Sequence, residues 1–235
     1  MVEDIAVRFP ATRRAMAKQQ TRRRLIAAAR ALVAERGYEA ATLREMAARA
    51  DVSTGAVFAN FADKADLFNA VIIDDHADLL VQMKRAAAEA TSTHQALRAV
   101  FAAGYALHAG QLSLVQAQLG FSWVNDRAVE QRSRAGVRQI QALLVEILGA
   151  GVDSGDLAPS IDVGLIAEMV WDSYVANYRR AIFDGWSLET LQSRIGRQID
   201  ILLDGYRTDA ATNAQPSWPT PAPRLAASRP TALRG

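Results

Sequence analysis

The stretch from Thr42 to Phe68 constrains the fold of this chain more than any other. Its sequence, TLREMAARADVSTGAVFANFADKADLF, holds two short segments of helical apolar spacing separated by the turn Asp51–Ser53, and a longer segment begins at its end. Thr42 and Glu45 have the spacing of a capping box, in which each residue satisfies a free N–H group at a helix start. The stretch therefore predicts two short helices joined by a tight turn.

The second of these helices is predicted to run from Thr54 to about Asn60, with Ser53 or Thr54 as its cap. Its spacing predicts that Val57 and Phe61 are buried. The opposite face carries small or polar residues, namely Thr54, Gly55, Ala56 and Asn60. Small residues allow a backbone to approach a partner closely, and in a helix-turn-helix that partner is the floor of the DNA major groove.

The segment from about Arg24 to Phe68 resembles the DNA-binding domain of the TetR family of bacterial transcription regulators. The resemblance combines the helix-turn-helix with the helix before it and the pattern N-F-x-x-K-x-x-L-F after it. The matching residues are Leu25, Ile26, Ala28, Ala29, Leu32, Val33, Gly37, Tyr38, Thr42, Met46, Ala47, Val52, Ser53, Gly55, Val57, Phe58, Phe61, Lys64, Leu67 and Phe68.

This resemblance implies binding to double-stranded DNA. The groove-facing candidates are then Thr54, Gly55, Ala56 and Asn60, and the phosphate-binding candidates are Thr42, Ser53 and Lys64. The predicted recognition helix carries no Arg or Lys, so we expect little bidentate reading of guanine and more dependence on DNA shape.

Three positions depart from the family pattern. Phe58 stands among the DNA-facing residues where the family commonly has Tyr, so the hydroxyl contact to phosphate is lost. Asn60 stands where the family commonly has His, so that contact changes type. Asp51 stands in the turn where Gly is common, and Asp tolerates the left-handed conformation better than most residues. The turn is therefore expected to survive.

The chain divides into four predicted parts. Residues 1–19 form a basic arm without helical pattern, which either follows the DNA backbone or is an idle extension. Residues 20–66 form the helix-turn-helix domain, residues 67–207 a larger helical domain, and residues 208–235 a disordered tail, since five of the seven prolines lie in the last 20 residues. The whole fold is predicted to be all-α.

Charge supports this division. Residues 1–66 carry 12 Lys and Arg against 8 Asp and Glu, whereas residues 67–207 carry 12 against 16. A basic first part beside an acidic second part is expected if only the first meets a polyanion. The sequence has no cysteine, no signal-peptide pattern and no long uncharged apolar run, so we expect no disulfide, no membrane span and a cytoplasmic location.

The last two helices resemble the dimerisation pair of the family, which implies a homodimer on a near-palindromic operator. Alternatively, their stripes complete the core of a single chain. The stripes are Leu188, Leu191, Ile195, Ile199, Leu202 and Tyr206 on the last helix, with Gly196 allowing close approach, and Ile166, Met169, Val170, Ser173, Tyr174 and Asn177 on the helix before it.

The resemblance also implies a pocket for a small-molecule effector in the second domain. Its candidate lining is aromatic or polar, namely Phe101, Tyr105, His108, Trp123, Trp171, Tyr174 and Tyr178. Such a lining favours a mostly apolar ligand, and the acidic surroundings favour a neutral or cationic one. For any one of these residues, plain core packing is favoured over ligand contact.

No metal, cofactor or catalytic motif stands out. The run Asp74, Asp75, His76 and Asp78 does not converge on one helix face and is predicted to be a solvated charge run. His94 and His108 have no evident partner. We therefore expect a ligand-responsive regulator, most simply a repressor, and no enzyme. An architectural DNA-binding protein without effector, and a ligand carrier or enzyme with a vestigial helix-turn-helix, are the alternatives.

Overall fold

A computed structural model of the protein describes residues 13–124 and 127–208, and this part of the chain confirms the all-α prediction. The only extended pairing among these residues is an isolated bridge between Leu157 and Arg207. The helices are α1 (Arg13–Arg36), α2 (Leu43–Arg49), α3 (Thr54–Phe58), α4 (Lys64–Ala88), α5 (Thr93–His108), α6 (Leu112–Val124), α7 (Arg127–Asp153), α8 (Val163–Asp184) and α9 (Leu188–Leu203), followed by a 3-10 turn at Asp204–Tyr206. Residues 1–12 of the predicted arm and most of the predicted tail lie outside the described residues.

The first helix begins earlier than predicted. α1 starts at Arg13 and not near Gln20, so residues 13–19 are helical and are not part of an irregular arm. They are exposed, and their only apolar residues are the consecutive Ala15, Met16 and Ala17, so they carry no apolar periodicity that predicts a helix. Arg22–Arg24 consequently lie in the middle of α1, beyond the first turn, in which the helix dipole disfavours cations.

The helix-turn-helix is held by the predicted local signals. The Thr42 Oγ1 accepts a hydrogen bond from the Glu45 N–H, and the Glu45 carboxylate accepts one from the Thr42 N–H, which completes the capping box. Ser53 caps α3, because its Oγ accepts from the Ala56 N–H at 3.2 Å. Asp51 has φ +51°, and its carboxylate accepts from the Arg24 guanidinium at 3.0 Å. The prediction that Asp sustains the left-handed turn is confirmed.

Two apolar cores lie along α4. The first half of α4 contributes Leu67, Phe68 and Val71 to a core shared with α1, α2 and α3, in which Val57 and Phe61 are buried as predicted. The second half contributes Leu79 and Met83 to a larger core with α5, α7, α8 and α9. We call residues 13–72 the head and the remainder the body.

The prediction that the apolar stripe of α9 forms an outward-facing dimer interface is wrong. Leu191, Ile195 and Ile199 are buried inside the single chain, because α9 packs against both α5 and α8. Gly196 is approached by the Arg98 guanidinium from α5 and not by a second helix. Most of the α8 set is also buried, with Met169 as its exposed member.

One helix resembles a membrane span in composition. Residues Gln131–Asp153 of α7 are long and apolar enough to cross a membrane. However, Ile140, Leu144 and Leu148 are completely buried in the body core, and core helices pass the same test.

Candidate functional site

The outer face of α3 carries no charged side chain. Thr54 and Gly55 are exposed, and so is the Phe58 ring, of which 58% is accessible. The inner face is fixed by Val57, which is completely buried in the head core. The only large side chain that this helix offers to a partner is therefore an aromatic ring without a polar group.

Asn60 is held in a way that its sequence position did not indicate. Its Nδ2 donates to the Ala56 backbone carbonyl at 2.8 Å, and the backbone carbonyl of Asn60 accepts from the Arg22 guanidinium at 2.9 Å. Arg22 also stacks over the Phe61 ring, 4.2 Å from its centroid. The predicted contact of Asn60 with DNA would therefore involve an amide that already bonds the Ala56 carbonyl.

The three phosphate candidates also have roles inside the head. The Thr42 hydroxyl donates to Glu45 Oε2 at 2.8 Å, and Ser53 caps α3. Lys64 Nζ donates to the Glu39 carbonyl at 3.2 Å and lies 4.2 Å from the centroid of the Tyr38 ring. Thr42 and Ser53 are nevertheless exposed, so their contacts with phosphate stay predictions.

A cation that sequence reasoning missed lies on α2. Arg44 is exposed and makes no ion pair with any residue in the described ranges. It directly follows Leu43, on the polar side opposite the buried Met46 and Ala47. That polar position on the first helix of the motif was the signal available in the sequence, since this helix crosses the DNA backbone in such motifs.

A cavity of about 190 Å³ lies in the body between α4, α5, α6, α7 and α8. We call it the first cavity. Four of the predicted ligand-binding residues line it, namely His108, Trp171, Tyr174 and Tyr178. The rest of its wall is formed by Ile72, Asp75, His76, Leu79, Val115, Gln118, Leu119, Ser122, Ser133, Arg134, Val137 and Val175.

The other three predicted residues do not line this cavity. Phe101 is completely buried behind it, with its ring centroid 5.1 Å from that of Tyr174. Tyr105 is also buried and donates its hydroxyl hydrogen to the Tyr174 carbonyl at 3.1 Å. Trp123 is 88% exposed on the outside of α6, so its assignment to the pocket is wrong.

A buried polar network forms one side of the first cavity. Asp75 Oδ2 lies 3.1 Å from His108 Nε2 and accepts from the Gln118 amide at 3.0 Å. His108 Nδ1 lies 2.8 Å from the Tyr178 hydroxyl, which lies 2.7 Å from the Tyr174 hydroxyl. The predictions that Asp75 belongs to a solvated run and that His108 has no partner are therefore wrong.

The negative charge of Asp75 is already balanced by a positively charged partner. Asp75 Oδ1 accepts from the Arg30 guanidinium of α1 at 3.1 Å, although the carboxylate is only 1% exposed. Burial raises the pKa of Asp75, but the hydrogen bonds from His108 and Gln118 and the charges of His108 and Arg30 outweigh it and hold the pKa below its ordinary value. This carboxylate therefore does not by itself require a cationic ligand, and the expectation of a neutral or cationic ligand, which rests on the acidic composition of the second domain, stays a prediction.

The two hydroxyls of the network are uncharged at physiological pH. Burial raises the pKa of Tyr174 and of Tyr178 well above the ordinary value for tyrosine. They therefore act as neutral hydrogen-bonding groups, and the first cavity combines apolar walls with a polar side that also includes Asp75, His108 and Arg134.

α6 connects this cavity to the head. One face of the helix lines the cavity through Val115, Gln118 and Leu119. The other face places Leu114 and Phe121 in the head core. The Phe121 ring lies 5.4 Å from Tyr38 and 5.1 Å from Phe68, centroid to centroid. Sequence reasoning missed this double role.

The fold and the head together define a helix-turn-helix protein with a cavity-bearing helical body. Residues 25–71 match the family described as "Bacterial regulatory proteins, tetR family". The head therefore carries the DNA-binding domain of this family, which confirms the resemblance for this part of the chain.

Relatives and solved structures agree with this. The HTH-type transcriptional repressor KstR2 of Mycobacterium tuberculosis is 26% identical over 160 residues, covering 63% of this chain and 75% of the relative. The fatty acid metabolism regulator protein of Bacillus subtilis is 24% identical over 148 residues, covering 63% and 76%. The crystal structure of FadR from Bacillus subtilis with stearoyl-CoA has a TM-score of 0.68 at 20% identity, covering 78% of this chain and 98% of that one. The KstR2 structure has a TM-score of 0.57 at 20% identity, covering 80% and 95%.

Proposed function

We propose that the protein is a repressor that binds a near-palindromic operator as a homodimer and releases it when a mostly apolar small molecule occupies the first cavity. The observation that carries this proposal is the double role of α6. A ligand beside Val115 and Leu119 presses on a helix whose opposite face, at Leu114 and Phe121, belongs to the head core. Close-packed cores transmit such displacements because they cannot absorb them.

The head is the DNA-binding part of this proposal, with α3 in the major groove and α2 against the backbone. The absence of charge on α3 supports reading by shape and by apolar contact, while Arg44 and the exposed cations Arg13, Arg14 and Lys18 of α1 supply attraction to phosphate. Binding of DNA implies a cytoplasmic location. We propose that the boundary between the domains lies within α4, between Ile72 and Leu79, where the helix passes from one core to the other, and not after residue 66.

Dimerisation is proposed through the outer faces of α8 and α9. Leu165 and Met169 are exposed one helical turn apart, at 52% and 42%, and Phe183 follows at the far end of α8. Ile201 is 74% exposed on α9. These residues replace the buried stripe that the sequence predicted. A two-fold axis through this surface would place two recognition helices about 34–36 Å apart on one side of the DNA.

The effector is proposed to weaken DNA binding through its different affinities for two conformations of the protein. A ligand shifts the equilibrium only as far as it binds the DNA-releasing conformation better than the DNA-binding one. The apolar walls of the first cavity and the neutral hydroxyls of Tyr174 and Tyr178 support a largely hydrocarbon ligand with few polar groups. The structure of FadR from Bacillus subtilis contains stearoyl-CoA, whose acyl chain is a hydrocarbon, and this supports the same class of ligand for this chain.

Selection of genomic fragments tests the DNA-binding half. The protein is incubated with sheared DNA of its own organism at about 150 mM salt, where non-specific phosphate contacts are weakened. We expect a few fragments that share a palindrome. Thr54→Glu is the matched control, because a carboxylate suits the first residue of a helix but repels DNA. Diffuse recovery, or equal recovery by the control, would favour architectural binding.

The effector half is tested on the recovered operator. Extracts of hydrocarbon-rich metabolites are added, and release of the operator is measured for the native protein and for Trp171→Ala and Tyr174→Phe. Both residues line the first cavity. Induction that is unchanged in both variants would contradict the proposal.

Dimerisation is tested by introducing an aspartate either on the proposed interface or on a different exposed surface. Met169→Asp and Ile201→Asp place a charge on the proposed interface, whereas Val81→Asp places one at a 62% exposed position of α4. Sedimentation velocity should show a dimer for the native protein and Val81→Asp, and a monomer for the other two variants. A dimer in all four samples would place the interface elsewhere.

A further inference from the structure

A second cavity lies beside the first. It has a volume of about 150 Å³ and is walled by α5, the start of α6, the end of α8 and the start of α9. His108 and Tyr178 line both cavities. These two side chains therefore form the wall between them. The remaining lining of the second cavity is Tyr105, Ala109, Leu112, Ala181, Trp186, Ser187, Leu188 and Leu191.

Several hydrogen bonds hold the wall. His108 Nδ1 lies 2.8 Å from the Tyr178 hydroxyl, which also lies 2.7 Å from the Tyr174 hydroxyl and 3.4 Å from the Gly104 carbonyl. On its other side, His108 Nε2 lies 3.1 Å from Asp75. The bond between His108 and Tyr178 is the one that joins the two side chains of the wall, so a ligand that passes between the cavities must separate them and satisfy the polar groups that this bond leaves free.

The second cavity is suited to hydrocarbon. Its wall combines aliphatic and aromatic side chains, with Leu112, Leu188 and Leu191 from two helices and the Trp186 ring at the turn between α8 and α9. No Asp, Glu, Lys or Arg is among its described lining residues. A charged group would therefore be desolvated there without a counter-charge, which is unfavourable.

We infer that the two cavities are halves of one channel for an elongated, uncharged hydrocarbon segment that carries a hydroxyl or carbonyl oxygen near its middle. That oxygen takes the place of the bond between His108 and Tyr178. One part of the segment lies against Trp171 in the first cavity, and the other lies against Trp186 in the second. This inference rests on the proposed function, in which the first cavity is the effector site.

The inference also defines a size threshold. A short molecule fills the first cavity and leaves the wall closed. A longer one opens the wall and frees His108, which also contacts Asp75 at 3.1 Å. Ligand length is thereby linked to the network that reaches Arg30 in the head.

Fluorine NMR of the full chain labelled with 5-fluorotryptophan tests the inference, with Trp→Phe variants assigning the resonances. The probes are two symmetric ketones, 3-pentanone and 6-undecanone, and the isomer 2-undecanone. We expect 3-pentanone to shift the Trp171 resonance alone and 6-undecanone to shift those of Trp171 and Trp186. We also expect 6-undecanone to bind more tightly than 2-undecanone, whose oxygen is at one end.

Leu112→Trp supplies a matched variant, because it fills the second cavity from a half-buried position and leaves the first intact. It should weaken 6-undecanone about tenfold, since exclusion of two or more methylenes has that effect, and leave 3-pentanone unchanged. If 6-undecanone shifts Trp171 but not Trp186, the channel is wrong and the proposed effector site stands. If neither ketone shifts Trp171, the effector site itself is wrong and the channel falls with it.

Discussion

Arg30 of the head and Asp75 of the body form an ion pair of 3.1 Å in which the carboxylate is 1% exposed. Asp75 also contacts His108, a residue of the cavity wall. Arg30 is 18% exposed and reaches Asp74 at 3.0 Å and Asp78 at 3.3 Å. The head is therefore joined to the cavity by a polar connection through α4 as well as by the apolar contact through α6.

The first prediction concerns the strength of this pair. Arg30→Gln should destabilise the protein by about 2 kcal/mol, below the 3–5 kcal/mol typical of a broken buried pair, because His108 and Gln118 still bond the carboxylate. Urea unfolding measures the change. In double-mutant cycles, the coupling of Arg30 to Asp75 should exceed its coupling to Asp78, whose side chain is 56% exposed. Equal couplings would show that Asp75 has no special role.

A second prediction follows from the lowered pKa of Asp75. A carboxyl group with a folded pKa below its unfolded value stabilises the fold above the unfolded pKa, and this stabilisation is lost as the pH falls through the folded pKa. His108→Leu removes one hydrogen bond and keeps the burial that raises the pKa, so the folded pKa of Asp75 rises. The gap in unfolding free energy between the native protein and this variant should narrow as the pH falls below the ordinary value of 3.8, through the lowered folded pKa of native Asp75.

Urea midpoints at four pH values on both sides of 3.8 measure the gap. Tyr178→Phe is the control, because it removes the other partner of His108 and leaves the contact between His108 and Asp75 in place. Its gap to the native protein should show no such narrowing. A constant gap for His108→Leu would mean that Asp75 does not gain its stabilisation from His108.

The turn of the helix-turn-helix gives a third prediction. Asp51 has φ +51°, which costs an L-residue free energy that Gly does not incur, and its side chain is 98% exposed. Asp51→Gly should therefore raise the free energy of unfolding by about 0.5–1 kcal/mol, since the exposed pair with Arg24 contributes little. Asp51→Val should lower it. Thermal unfolding followed by circular dichroism measures both, and a loss of stability with Gly would show that the ion pair outweighs the strain.

The head was predictable because its signals are local. The capping box of Thr42 and Glu45, the Ser53 cap and the turn at Asp51 each depend on residues within a few positions of one another. The start of α1 was not predictable in this way, because residues 13–20 are exposed and have no apolar stripe. Domain limits outside the described residues, and the DNA contacts themselves, stay predictions.

The helical class of the body was predictable from the sequence, whereas the packing partners of its side chains were less so. An apolar stripe such as Leu191, Ile195 and Ile199 indicates burial but not the partner, and here the partner lies in the same chain. The burial of Asp75 depends on Arg30 and His108, which are distant in sequence. Trp123 was assigned to the pocket by residue type, although it lies on the outer face of a helix whose inner face lines the cavity.

The last prediction separates base reading from phosphate binding on the head. Phe58 is the large exposed side chain of α3 and has no charge, whereas Arg44 is an exposed cation on α2. On the recovered operator, Phe58→Ala should weaken specific binding by about 1–2 kcal/mol, roughly 5- to 30-fold, with no change in the salt dependence. Arg44→Gln should weaken binding to operator and to unrelated DNA alike, and should reduce the slope of log K against log salt by about 0.9.

Fluorescence anisotropy with operator and with scrambled DNA, at several salt concentrations, measures both variants. An operator in which thymine is replaced by uracil extends the comparison, since it lacks the methyl groups that an apolar ring contacts. If Phe58 packs on such a methyl, uracil substitution at one position should weaken the native protein and leave Phe58→Ala unaffected. If both proteins respond equally at every position, Phe58 contacts the sugar or the backbone, and the specificity of α3 rests on Thr54 and Gly55.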